Sequence, residues 1–413
     1  MPGERASRNR GSTMGRVLTL LAALIAVALG VGLVALWPSR EDVGGAEPLA
    51  RGELVEAVVV GVEACPPAPA VDPGADPGVD PGVDPGVDPG VAPAAPVEVQ
   101  CQSVSFELQG GSEAGRTVSF DVADVAPTLE LAVGERVVLE RLLSEVPGMP
   151  YAVYDRDRTS SLVWLALAFS VLVVLLGRLR GFAALVGLGL SLWLLLRFVL
   201  PAILEGTSPT LVACVGAGVI AYAVIYLAHG FTVRTTVAVL GTLAGLGLAA
   251  GLSLAWVPFA QLTGLVTETA YVVQATGLQI DPSGLLLAGI VIGALGAIDD
   301  VSVTQASAVW ELHETDPAVG GRALFRAGMR VGRDHVGSIV NTLALAYVGA
   351  SLPLLIVFNL SDLSFERVIG SEIVATEIVR ALVGSIGLVA SMPVTTWLAA
   401  RVAGAGAPGV PER

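Results

Sequence analysis

The stretch GAIDDVSVTQASAVWEL (296–312) sets Asp300, Thr304, Ser307 and Glu311 at i, i+4, i+7 and i+11. On a helix these positions share one face. A second stretch, RDHVGSIVNTLALAYVGASLPLL (333–355), repeats the pattern with Asp334, Ser338 and Asn341, and Thr342 is adjacent. Both lie in or against apolar runs long enough to cross a bilayer. Ionisable groups are costly in hydrocarbon and mark ion or substrate pathways. A carboxylate in a low-dielectric setting favours its neutral form, so it can take up and release a proton, or exchange one for a cation. That chemistry belongs to a coupled transporter, and the named residues of the two stripes are the transport pathway candidates. The spacing predicts that the two striped helices pack stripe to stripe. Asp299 points about 100° away from Asp300, so the two acids need not interact. The plainer reading pairs Asp300 or Asp334 with Arg330 or Arg333 and ties two helices together at the membrane boundary.

These stripes need a membrane to sit in, and composition supplies it. The chain has 413 residues, 54% of them hydrophobic and only 15% charged, with a mean hydropathy of +0.74. That profile belongs to a multi-spanning membrane protein. The formal net charge of −14 is concentrated: residues 41–158 hold 22 of the 37 acids but 6 of the 23 basic residues, all arginine. Nucleic-acid binding needs a basic footprint, which this distribution excludes.

Apolar runs predict about eight transmembrane helices: Val17–Trp37, Leu162–Leu176, Phe182–Leu204, Thr210–Ala228, Val233–Val257, Gly284–Ile298, Ile339–Phe358 and Ile378–Ala400. The first follows Arg5, Arg8, Arg10 and Arg16 and lacks a convincing cleavage site, so it reads as an uncleaved anchor rather than a signal peptide. With the N-terminus in the cytoplasm, Arg178, Arg180, Arg234, Arg322, Arg326, Arg330, Arg333, Arg401 and Arg413 all fall inside, as the positive-inside rule requires. The expected organisation is a cytoplasmic tail (1–16), helix 1 (17–37), an extracytoplasmic domain (38–160), a seven-helix membrane core (161–401) and a second cytoplasmic tail (402–413). Within the core, 316–333 carries Arg322, Arg326, Arg330 and Arg333 at helical spacing and reads as an amphipathic helix on the inner surface, suited to topology and anionic-lipid contact.

The fold class is therefore an α-helical polytopic membrane protein with a small all-β extracytoplasmic domain between helices 1 and 2. Alternating runs at 54–62, 97–108, 117–122, 128–131 and 136–142, separated by turn residues, predict an antiparallel sheet or a small OB-like or SH3-like barrel. Inside it, residues 66–96 form a linker in which Asp-Pro-Gly recurs every four residues, with Asp72, Asp76, Asp80, Asp84 and Asp88. Such a string of turns has no core, and it is read as solvated linker rather than a calcium site. Cys65 and Cys101 flank the linker. In an exported segment they are a candidate disulfide, and the alternative of two free thiols stays open. Cys214 reads as a packing residue.

Glycines at small-xxx-small spacing (Gly241, Gly245, Gly247, Gly251; Gly289, Gly293, Gly296) predict close helix contacts. Asp281 and Pro282 predict an N-cap and a first helical residue. Pro353 predicts a bend in the seventh span, Arg197 reads as a snorkelling side chain, and Glu268 falls in a re-entrant or interfacial loop.

The stretches GFTVRTTVAVLGTLAG (230–245), LTGLVTETAYV (262–272), LLAGIVIGALGAIDDVSVTQASAVWEL (286–312) and GMRVGRDHVGSIVNTLALAYVGASLPLL (328–355), with YDRDRTSSLVWL (154–165), resemble the YibE/F-like family of bacterial multi-pass membrane proteins. The resemblance runs from about Leu49 to the C-terminus and implies a multi-pass architecture in a bacterial plasma membrane, without an activity. Asp299 stands where the family pattern more often has an apolar residue, and the Asp-Pro-Gly tract is an insertion.

The leading expectation is a permease or ion-coupled transporter whose partners are the lipid bilayer and a small solute or ion, with an oligomer compatible and no cofactor or metal implied. The alternative is a non-transporting sensor or accessory protein whose exported β domain binds an envelope partner. No Gly-x-Ser-x-Gly elbow or HExxH site occurs, and GAIDD does not match the glycine-aspartate context of diaspartyl proteases, so no enzyme is expected.

Overall fold

A computed structural model describes residues 2–39, 52–64, 101–111, 113–123, 131–141, 151–266, 271, 278, 280–361 and 363–404. The whole Asp-Pro-Gly linker (66–96), Cys65 and Glu268 lie outside the described residues, as does the side chain of Cys101, so the candidate disulfide does too. The chain divides into two compact units, Glu47–Ala168 and Met1–Ala46 with Phe169–Arg413.

The smaller unit is a five-stranded antiparallel sheet of β1 (Leu54–Ala64), β2 (Cys101–Leu108), β3 (Thr117–Ala123), β4 (Arg136–Arg141) and β5 (Tyr151–Arg156), in the order β3-β2-β1-β4-β5. Period-two alternation turns Val55, Ala57 and Val59 of β1 inward, where they meet Val104, Phe106, Leu108, Val137, Leu139 and Tyr151 in one core. Register shifts at Val59/Gly61 and Val138/Leu139 bend the sheet. The expected barrel is not closed among the described residues, because β3 and β5 are edges that do not pair with each other. No strand includes Leu131, while residues 128–130 lie outside the described set. β5 was not expected: its YAVYDR sequence runs straight into an apolar helix and reads as part of that helix's entry.

The larger unit is helical. Its elements are α1 (Pro2–Ala35), α2 (Thr159–Leu194, which begins in the smaller unit), a π-helical turn (Leu195–Val199), α3 (Leu200–Leu204), α4 (Pro209–His229), α5 (Val233–Phe259), α6 (Pro282–Thr315), α7 (Gly321–Ala350), α8 (Leu352–Leu360), α9 (Phe365–Gly370) and α10 (Glu372–Ala403). Among the described residues, 6 helical runs are long and apolar enough to cross a membrane, or 7 when α7 and α8, bent by 62° at their junction, count as one. That bend falls where Pro353 predicts it, with Pro353 in the first turn of α8. The 46-residue run Thr159–Leu204 breaks at Arg178, whose φ of 53° and ψ of −131° are not helical. A Cβ on Gly181 would collide with the Val173 carbonyl, so the chain folds back tightly there and only glycine fits. Asp281 caps α6 as expected, accepting from Ser283 N at 3.1 Å and Gly284 N at 3.0 Å.

Segment 316–333 is not a separate amphipathic helix. Residues from Gly321 onward belong to the continuous 30-residue α7. Nothing in GRALFRAGMRVGRDHV stops a helix, since its glycines are isolated and no proline intervenes.

Small residues set the packing. Gly241 of α5 lies against Thr395 of α10, and Gly245 lies 2.8 Å (as a virtual Cβ) from both Ile298 of α6 and Ser391 of α10. Gly387 of α10 meets Ala249 of α5 at 2.9 Å on the same measure. These contacts make α5 antiparallel to α10. The pairs Gly384–Ala294 and Gly387–Ile298 make α10 parallel to α6. Without a hydrophobic drive between helices in lipid, such close backbone approach is what holds them together. The other expected glycine faces behave differently: Gly247, Gly251, Gly289 and Gly296 meet nothing within 4 Å.

Candidate functional site: a polar line inside the helical bundle

Helix α6 carries polar residues on two sides. On its buried side, Ser302 is fully covered and Gln305 is 3% exposed. The Gln305 side chain donates from Nε2 to the Gly328 carbonyl of α7 at 2.7 Å. Gly328 and Gly332 make room for it: a Cβ on Gly332 would sit 2.9 Å from that same Nε2, and one on Gly328 would sit 2.8 Å from Val309 and from Thr396. Facing them, α10 presents Ser391, Thr395 and Thr396, all fully buried. Their hydroxyls donate back along the helix to Leu388 O at 2.8 Å, Ser391 O at 2.8 Å and Met392 O at 2.7 Å. This back-bonding lets hydroxyls sit in an apolar helix.

Three covered polar atoms near this level of the bundle have no partner among the described residues: Thr242 Oγ1, Ser302 Oγ and, on the flank of α6, Asp299 Oδ1. Gly245 packs on Ile298. Thr242 is about one turn from Gly245 and Ser302 one turn from Ile298, in antiparallel helices, so the two hydroxyls share a level. Asp299 stands three residues before Ser302, which makes the two neighbours along α6. Buried polar atoms are nearly always paired, so three unpaired ones at adjoining positions mark a place where a proton, an ion or water would complete the set.

The stripe residues lie elsewhere. Asp300, Thr304 and Glu311 are exposed and Ser307 is half-buried. On α7, Asp334, Ser338 and Asn341 are exposed, whereas Leu324, Gly328 and Gly332 are buried and Val336 and Ile339 pack on the core. The α6–α7 interface is built by Gln305 and Val309 with Gly328 and Gly332, and by Gly293 near the Tyr347 hydroxyl at 3.5 Å. Neither stripe enters it, so the two helices do not pack stripe to stripe as their spacing predicts: α7 turns its glycine face inward because only that face permits close approach. The ion pairs considered for Asp300 and Asp334 with Arg330 and Arg333 do not form either. Among the described residues, no three His, Cys, Asp or Glu side chains gather as metal ligands do.

The inner line escaped the sequence pattern for a physical reason. Its members are small hydroxyls and one amide inside apolar runs, and the one acid among them, Asp299, is off the period that linked Asp300 to Glu311. The SMPVTTW segment of α10 (391–397) carried the available signal, with hydroxyls at Ser391 and Thr395, four apart, and Thr396 next to them.

No curated protein and no solved structure matches the chain. Residues 165–405 match the YibE/F-like protein family. The matched stretch starts within α2 and ends just past α10, whereas the resemblance expected from the sequence began at about Leu49. It covers the whole polar line and more than half of the chain, which therefore belongs to the YibE/F-like family.

Proposed function

We propose that this protein is an ion-coupled permease of the bacterial plasma membrane, working through the bundle of α5, α6, α7 and α10. The carrying observation is Asp299, an acid with one carboxyl oxygen sealed from solvent and unpartnered, beside the equally unpartnered Ser302 hydroxyl. In this reading Asp299 binds the coupling proton or cation, and Ser302, Thr242 and Gln305 supply oxygens and an amide along the route. The chain crosses the membrane eight times, counting α2 with α3 as two passes cut at Arg178 and α7–α8 as one. Both termini are cytoplasmic and residues 38–160 are outside.

Depth along α6 supports the assignment. Gly15 lies 3.7 Å (as a virtual Cβ) from Val233, and Arg16, Val233, Trp310 and His313 line one cleft at that end of the bundle. Together with Arg234, these residues set the inner boundary. Asp299 is then about 16 Å along α6 from Trp310, well within a hydrocarbon layer of about 30 Å. Asp300, Thr304, Ser307, Glu311, Asp334, Ser338 and Asn341 form the outward wall of the same region. Lipid disfavours their acids, so this wall belongs to a water-filled vestibule or to a contact with a second copy.

Proteoliposome flux with a pH gradient tests the proposal. Asp299→Asn removes coupled flux, while Asp300→Asn leaves coupling and changes the rate. Unchanged coupled flux in both variants at equal reconstitution rules out Asp299 as the coupling group, and wild-type flux no greater than that of protein-free liposomes rules the permease out.

The separate core of the β unit favours a second reading, a sensor or accessory protein whose exported sheet binds an envelope partner. Deleting residues 52–141 then abolishes function in cells while Asp299→Asn does not.

A further inference from the structure

At the inner end of the bundle, the start of α7 and the end of α10 come together. Gly321 lies so close to the Ala400 carbonyl that a Cβ there would be 3.1 Å from it. Beside this contact is a cleft of about 740 Å³ lined by Gly321, Arg322, Phe325, Arg326, Trp397 and Arg401. We propose that this cleft binds the phosphate-bearing headgroup of an anionic membrane lipid.

Four features of the cleft converge on that ligand. First, among the described residues its lining carries three guanidinium groups and no acid. Guanidinium forks match phosphate oxygens in charge and in geometry. Second, the backbone adds to them. The N-cap of α7 is Gly320, which brings no side chain to the first-turn N–H groups, and those groups with the helix dipole favour an anion. Third, the other wall is aromatic. Trp397 is 47% exposed, and the Arg401 guanidinium stacks 5.2 Å from its ring centre. Exposed tryptophan beside arginine is the side-chain pair of a headgroup layer, amphipathic ring against amphipathic lipid. Fourth, the cleft sits at the helix ends, level with Arg234 at the start of α5 and Arg401 at the end of α10, where a lipid phosphate stands. A free phosphate would satisfy the arginines and leave Phe325 and Trp397 without use. A glycerophospholipid satisfies both walls.

Arg330 is a built-in control. It is exposed on the same helix, one turn beyond Arg326, and does not line the cleft. The experiment takes the full chain in maltoside micelles and titrates dioctanoyl phosphatidylglycerol, dioctanoyl phosphatidylcholine or inorganic phosphate, reading bound species by native mass spectrometry and the thermal midpoint. Phosphatidylglycerol is expected to bind saturably and raise the midpoint, and phosphatidylcholine to do neither. Losing one guanidinium is expected to weaken phosphatidylglycerol about fivefold, from roughly 1 kcal/mol per basic residue near an anionic lipid surface. Arg326→Gln and Arg401→Gln each show this loss, the double variant shows more, and Arg330→Gln shows none. Trp397→Leu weakens the lipid and leaves inorganic phosphate unchanged. Equal lipid affinity in wild type and in the Arg326 and Arg401 variants overturns the site. So does equal binding of the two lipids. Inorganic phosphate binding as tightly as phosphatidylglycerol overturns the lipid assignment and makes the cleft a solute-phosphate site. If the double variant does not fold, the two single variants decide.

Discussion

Asp299 and Asp300 are adjacent in sequence and lie in different worlds. One turns a carboxyl oxygen into the sealed interior and finds no partner, while the other is exposed along a regular stripe. The same division runs through the whole bundle. The inner side, where α5, α6, α7 and α10 meet, is dense with glycine, serine, threonine and one glutamine. The outer side carries the charges. Regular charge spacing thus marks the surface, whereas the interior is marked by small residues that allow close approach and by hydroxyls that bond to their own helices.

The largest expected effect breaks the glycine packing on one side only. Gly245→Leu drives a side chain into Ile298 and Ser391, each 2.8 Å from the virtual Cβ, and into the Gly387 carbonyl at 3.0 Å. Because a backbone atom cannot rotate away, the cost is about 3 kcal/mol or more. Gly247→Leu, two residues on, meets nothing within 4 Å and is expected to stay within about 0.5 kcal/mol. Thermal unfolding in detergent, with size-exclusion profiles, separates them. Similar losses in both would mean that the face of Gly247 is covered by another helix and that glycine packing is not confined to one side.

Next in size is the buried amide. Gln305→Leu deletes the 2.7 Å hydrogen bond that pins α7 to α6 and is expected to destabilise by about 1 to 2 kcal/mol. Asn341→Ala, on the exposed stripe, is expected within about 0.5 kcal/mol. Urea or thermal midpoints measured side by side decide whether the inner line holds the helices together.

Ser302→Ala sharpens the comparison further, because it separates holding from working. The Ser302 hydroxyl is fully buried and unpaired among the described residues. Removing an unsatisfied hydroxyl leaves stability unchanged or raises it slightly. If the inner line is a pathway, flux nevertheless falls. A variant that is both less stable and fully active would show the hydroxyl to be structural.

Much of the architecture was written in the sequence. Runs of 17–25 apolar residues can only be satisfied by helices in lipid, and the break at Arg178, the cap at Asp281 and the bend at Pro353 all carried local signals. The β unit was legible through period-two alternation in β1 to β4, but β5 was not, because six residues abutting a helix offer no turn to set them apart. The candidate site was half legible. Periodicity identifies that Asp300, Thr304, Ser307 and Glu311 share a face. It does not say which face is buried, since in a membrane helix the apolar positions surround the polar ones on every side. That choice rests on Gly328 and Gly332, whose missing Cβ atoms decide which side of α7 comes close.

The smallest expected effect concerns acids that are openly paired rather than sealed. Asp155, at the end of β5, accepts from Arg158 Nη1 at 2.7 Å and from the Arg156 backbone N–H at 2.8 Å. The Arg158 bond, then the backbone bond, hold its carboxyl below the usual carboxylate range. Asp157 is lowered in the same direction by its bonds to Thr159. A carboxyl that is more acidic folded than unfolded lends stability above its unfolded pKa and loses it as pH falls through the folded value. Asp155 is exposed and Asp157 half-buried at the surface, so the contribution is small and screened by salt. Arg158→Gln is expected to move the Asp155 titration up towards the ordinary range and to leave Asp157 nearly where it was, as read by carbon NMR of labelled aspartate in the full chain. An unmoved Asp155 would assign its acidity to the backbone bond alone. That would place it with the inner hydroxyls of α10, as a polar group satisfied by its own main chain rather than by a charge.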